Sequence, residues 1–152
     1  MGRENMVGFV DAVKMFFGRY TDFKGRSSRS EYWWWALANF LITLVPMFLL
    51  MGSMDMEAAA MGDYSSVGGI WFIILGIWWL ITLIPSIALV VRRFHDLNQT
   101  GWLYLGFLIV MIIPIVGLLA VIGMIVWFCM RGTVGPNKYG EDPLGDNGAV
   151  FE

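Results

Sequence analysis

The chain has 152 residues, of which 58% are hydrophobic and only 14% charged, with a formal net charge of -2. Soluble domains sit near ~45–50% and ~25%, and a core of this size has no room for so much apolar surface, whereas a lipid bilayer does. The near-neutral balance gives no global pull toward nucleic acid, and the lone Cys129 excludes an intramolecular disulfide or a multi-cysteine metal site.

The first long apolar run follows a stretch that mixes Arg, Lys, Asp and Glu. A cleaved signal peptide would start short and basic, so this run is expected to stay in the mature protein. Residues 6–20 read as an amphipathic helix, with Met6, Phe9, Val10, Val13, Phe16, Phe17 and Tyr20 at helical spacing and Asp11, Lys14 and Arg19 off that stripe. Such a helix lies along the membrane interface or packs on the protein's own loops; both readings stay open. Then Ser28, with Glu31 three residues later and an apolar run beyond, forms a capping-box pattern. Segment one, 32–51, is uncharged and long enough for the ~30 Å hydrocarbon core. Tyr32, Trp33, Trp34 and Trp35 mark an interface at its start.

The loop 52–69 carries Asp55, Glu57 and Asp63 and no Lys or Arg. Segment two, 70–91, is again uncharged, and Pro85 in its last third is expected to kink it or end its regular hydrogen bonding. A polar link, 92–101, precedes the apolar run 102–130. One straight helix over that run would be roughly 43 Å long, beyond the hydrocarbon core. It either tilts and kinks or folds back around Pro114 and Gly117 as two short helices. The tail 131–152, rich in Gly, Pro and Asn with an acidic finish, is expected to be irregular and outside the bilayer.

Lys and Arg favour cytoplasmic loops. Arg3, Lys14, Arg19, Lys24, Arg26 and Arg29 precede segment one, and Arg92 and Arg93 follow segment two. This assigns the N-terminus and the second link to the cytoplasm and the acidic loop to the outside. Arg131 and Lys138 favour a cytoplasmic tail, which requires an even number of crossings or a re-entrant hairpin.

Four pieces of the chain carry a resemblance. They are Phe23-Lys24-Gly25-Arg26 with Arg29, Glu31, Tyr32 and Trp33; Pro85-Ser86-Ile87-Ala88 leading to Arg92-Arg93-Phe94-His95-Asp96; Thr100-Gly101-Trp102; and Gly132-Thr133-Val134-Gly135-Pro136-Asn137-Lys138-Tyr139-Gly140-Glu141-Asp142-Pro143. In order and spacing they resemble the DUF805 family of bacterial inner-membrane proteins, over roughly residues 10–143. The family pattern commonly has Leu at Phe94, Ser at Thr100 and Arg at Lys138. The resemblance implies the bacterial cytoplasmic (inner) membrane and supplies no activity.

Two charged clusters hold the chemistry. Arg92, Arg93, His95 and Asp96 read as anchoring charges and a capped turn, or as a site that grips lipid phosphates; one His cannot complete a metal phosphohydrolase centre. Arg26, Arg29 and Glu31 are expected on the same membrane face. A polar belt pairing Glu31 with Arg92 or Arg93 would neutralise charges that are costly alone. In the tail, Asn137, Tyr139 and Asp142 make either a loop docked over the arginines by its carboxylates or a set of linked turns. The Trp and Met residues fit packing and interface anchoring rather than a cofactor box, and Cys129 is expected to be a buried, inert thiol. No glycine pattern suggests a phosphate loop.

The expected fold is all-α, an integral membrane helical bundle of three to four hydrophobic segments plus an N-terminal amphipathic interfacial helix. The expected role is non-enzymatic, with no catalytic residue, metal or cofactor. It is an accessory or structural membrane protein whose partners are membrane lipids, other membrane proteins or further copies of itself, and not nucleic acid. An oligomeric transporter or channel is the second reading and a lipid head-group enzyme the third.

Overall fold

The structure is a computed structural model that describes residues 6–52, 57, 60–62 and 69–145. The expectations for Arg3, Asp55, Asp63 and the acidic end of the tail lie outside the described residues. Regular structure is helical: α1 (Phe9–Gly18), α2 (Arg29–Gly52), α3 (Gly69–Asp96), α4 (Leu103–Val110) and α5 (Pro114–Cys129), with no strand among the described residues. The fold is all-α, and α2 and α3 are long and apolar enough to cross a membrane. Only 11% and 28% of their most apolar stretches are buried. Helices in a soluble core would be mostly buried; these turn Phe40, Phe48, Phe72 and Trp79 outward, as lipid-solvated helices do.

The chain divides into two compact units, one of Met1–Trp35 with Pro85–Glu152 and one of Ala36–Ile84. In the second unit, polar side chains of the apolar stretches are tied within the protein. Asn39 Oδ1 accepts the indole N–H of Trp78 at 2.9 Å, Thr43 donates to the carbonyl of Asn39 and Thr82 to that of Trp78. A hydroxyl bonded back to its own helix needs no water.

In the first unit, α1 packs by Ala12 and Phe16, both fully buried, with Phe16 stacked on Trp35 at 3.4 Å. Met6, Val10 and Phe17 of the same region stay exposed. The core is Val90, Phe94 and Phe128, with Tyr32, Leu103, Phe107 and Trp127 around it. Edge-on contacts of Phe128 with Phe94 and Tyr32, both at 4.9 Å, lock the three elements that carry these rings. Each such ring removed from solvent contributes about 1.5–3 kcal/mol. Because Phe128 points inward, its neighbour Cys129 faces out: the thiol is exposed, not buried as expected.

Helix boundaries follow local chemistry. α3 runs past Pro85, which is buried within it, and on to Asp96, so Arg92, Arg93, His95 and Asp96 sit on its last turns rather than in a link. Arg93 and His95 there oppose the negative end of the helix dipole. Asn98 ends the helix in the left-handed region at φ 58, while the Gln99 N–H returns to the Phe94 carbonyl at 2.9 Å. The run 102–130 is broken. Ile113 precedes a proline, which disfavours helical ψ, and it is extended at φ -90, ψ 109; Pro114 then opens α5. α4 and α5 pack on each other. A Cβ on Gly117 would stand 2.8 Å from the Met111 carbonyl oxygen, so only glycine permits this close a reversal.

Candidate functional site

The charged residues converge in the first unit. The capping box is half used: Ser28 Oγ accepts the Glu31 N–H at 3.2 Å. The Glu31 carboxylate turns away from the helix start and lies 3.4 Å from Arg92 Nη2, with Arg19 Nη1 at 3.9 Å. Arg92 Nε donates to Ser27 Oγ at 2.9 Å and its Nη1 to the carbonyls of Arg19 and Asp22 at 3.2 and 2.5 Å. The Ser27 N–H donates to the Arg92 carbonyl at 3.1 Å, so side chain and backbone hold the same pair of segments.

Asp96 joins the other two arginines. Arg26 Nε donates to its Oδ1 at 3.0 Å, and Arg93 Nη1 to its Oδ2. Most other guanidinium N–H groups of these two arginines find backbone, while Arg93 Nε has no hydrogen-bond partner among the described residues. Arg93 Nη2 donates to the carbonyls of Phe128 and Met130 at 2.8 and 2.5 Å. Arg26 donates to those of Thr133, Gly135 and Gly140. Arg26, Arg92, Arg93, Glu31 and Asp96 are at most 4% exposed. Three guanidiniums thus meet two carboxylates, and carbonyl oxygens solvate the surplus positive charge. Breaking such a buried arrangement is costly because the remaining charge keeps no water.

The tail docks on this cluster through its main chain. The Thr133 N–H donates to the Asp96 carbonyl at 2.8 Å, and Asn137 Nδ2 to that of His95 at 2.9 Å. Tyr139 stacks on His95 with ring centroids 3.8 Å apart. The Asp142 carboxylate, expected to face guanidiniums, accepts the N–H groups of Gly135 and Leu144, both at 3.0 Å. Asn137 and Gly140 form a single bridge that closes the turn. Docking and linked turns are therefore both present, with carbonyls rather than carboxylates as the docking groups. His95 Nδ1 lies 3.1 Å from the Gly25 carbonyl, so it carries the proton there.

Arg29 lies at the edge of the cluster rather than within it. It stays exposed and lines a cleft of about 40 Å³ with Asp96, Arg131 and Asp142. Two positions apart on one helix, Arg29 and Glu31 point to nearly opposite sides. Sequence reasoning missed Ser27, Arg19 and the carbonyl acceptors of the tail. Gly132 is a further partner, because a Cβ there would overlap the Asp96 carboxylate. Among the described residues no group of three or more His, Cys, Asp or Glu could hold a metal ion.

Apolar helices facing outward, with charge gathered and paired at one end, define a helical integral membrane protein. The chain belongs to the DUF805 family, described as a protein of unknown function, which matches residues 20–141. It is similar to inner membrane protein YhaI of Escherichia coli (strain K12), 31% identical over 126 residues, covering 82% of this chain and 87% of YhaI. It is also similar to inner membrane protein YhaH of the same organism, 35% identical over 124 residues, covering 82% of this chain and 88% of YhaH. No solved structure matches. The protein is accordingly one of the bacterial inner membrane.

Proposed function

We propose that this is a non-enzymatic, multi-pass accessory protein of the inner membrane, with its N-terminus in the cytoplasm. Its arginine belt is a structural lock on the cytoplasmic side. The observation that carries this reading is the burial and pairing of Arg26, Arg92 and Arg93. Their donors are taken up by Glu31, Asp96, Ser27 and main-chain carbonyls, which leaves little to offer a lipid phosphate. The lock joins the link before α2, the end of α3 and the tail after α5, so all three share one face. With the Lys and Arg bias, that face is the inner one. α2 and α3 then cross, and α4 with α5 forms a re-entrant hairpin that folds back at Ile113 and Pro114 and returns the tail to the inner face. The exposed stripe of Met6, Val10 and Phe17 suits α1 to the interface. Polar groups of the apolar stretches that bond to one another or to their own helix argue against a water-filled pore. Lipids and other membrane proteins are the partners left to such a scaffold.

The test is to purify Arg92→Gln/Arg93→Gln and Asp96→Asn chains in detergent. A structural lock predicts loss of a monodisperse folded peak, with Asp96→Asn costing about 3–5 kcal/mol of stability. Variants that fold normally and differ only in retained anionic lipid would replace the lock by a lipid-binding belt.

A further inference from the structure

Beside the lock, and separate from its guanidiniums, the first unit holds an open cleft of about 480 Å³. This lies within the ~300–1,000 Å³ of small-molecule sites. One wall is a stripe of α3 at four-residue spacing, Ile87, Val91 and His95, and the facing wall is the start of α4 with Leu105. The cleft therefore follows the axis of a membrane-crossing helix. It is apolar toward Ile87 and polar where α3 ends, at His95 stacked on Tyr139. Leu105 and Trp102 are 49% and 78% exposed, so the cleft opens sideways.

The polar end has defined chemistry. Because Nδ1 of His95 donates to the Gly25 carbonyl, the neutral ring leaves Nε2 as its acceptor. Thr100 and Tyr139 add hydroxyls to the lining, and just outside it the Lys138 ammonium stands over the Tyr139 ring, 4.9 Å from its centroid. Among the described residues no carboxylate lines the cleft. A phosphodiester suits the lysine and the hydroxyls, and a head group with an N–H or O–H suits Nε2. From this gradient and charge complementarity we propose that the cleft binds one glycerophospholipid of the inner leaflet. An acyl chain lies along Ile87 and Leu105, and an ethanolamine or glycerol head group lies at His95, Thr100 and Tyr139, beside which Lys138 stands. The site gives the accessory role a ligand, and it rests on the reading that the end of α3 lies at the inner surface.

The experiment reconstitutes the full chain in vesicles of phosphatidylethanolamine and phosphatidylglycerol. A trace of phosphatidylethanolamine carries a diazirine at the end of one acyl chain, and the crosslinked residues are mapped by mass spectrometry. Labelling of residues 87–91 and 102–105 is expected to saturate and to be competed by unlabelled phosphatidylethanolamine. It should fall several-fold in Leu105→Trp, while labelling of residues 40–48 stays unchanged. Unsaturable labelling of the cleft, at the level of residues 40–48, overturns the proposal; so does saturable labelling that Leu105→Trp leaves intact. If that variant does not fold, competition on the unaltered chain decides alone. Failure of the lock appears as folded Arg92 and Arg93 variants, so either idea can fail without the other.

Discussion

Asp96 and Glu31 show how position decides what a carboxylate does. Asp96 sits three residues after Arg93 on one helix face and reaches Arg26 from a distant segment, so a single side chain ties two guanidiniums. Among the described residues Glu31 Oε2 and Arg93 Nε are buried without a hydrogen bond, so not every polar atom of the belt is paired. Asp22 works at the rim. Burial is the largest single influence and pushes its pKa up, but the Lys24 N–H and the Arg19 and Arg92 guanidiniums together outweigh it and hold the carboxyl below its ordinary value. A group depressed in the folded state stabilises above its unfolded value, and that contribution fades as the pH falls through the folded one. Acidification from pH 5 to pH 3 should therefore lower the thermal midpoint of the unaltered chain in detergent more than that of Asp22→Asn. Because Asp22 is 40% exposed, the difference should stay within the ~0–1 kcal/mol of a surface ion pair. Equal slopes would remove Asp22 from the account.

Individual elements were legible where local chemistry dominates. The apolar lengths of α2 and α3 and the Ser28 cap follow from residue type and spacing. Asn98 as a turn former follows in the same way, whereas Pro114 left a kink and a fold-back equally open. The continuation of α3 to Asp96 was not legible, because charged residues after an apolar span read equally well as a loop. The acceptors of Arg26 were hidden for another reason. Every residue carries a carbonyl, so no side-chain pattern marks Thr133, Gly135 or Gly140. Two glycines test the packing. Gly132→Ala drives a methyl into the Asp96 carboxylate, and Gly117→Ala drives one into the backbone at Met111. Each should cost about 1–3 kcal/mol, as overpacking does, seen as a lower midpoint in detergent. Gly123→Ala, with open space around it, should not. If all three behave alike, these close approaches do not exist.

For the whole molecule, composition alone required a membrane, and the order of motifs gave the family. Neither reveals that the belt gathers segments from both ends of the chain, because Arg26 and Gly140 lie 114 residues apart and only the fold joins them. Arg29, expected in the belt by sequence proximity, lies at its exposed edge, in a cleft with Asp96. A belt that unites the N-terminal link, the end of α3 and the tail demands that all three lie on one side of the membrane. The most direct measurement uses single cysteines at two exposed positions, Lys24→Cys and Val134→Cys, each in a Cys129→Ser chain. They are probed with a membrane-impermeant maleimide in spheroplasts and in inverted vesicles. Labelling of both only in inverted vesicles is the expected result. Labelling of position 134 from outside the cell, with position 24 labelled from inside, would contradict the belt and the topology built on it.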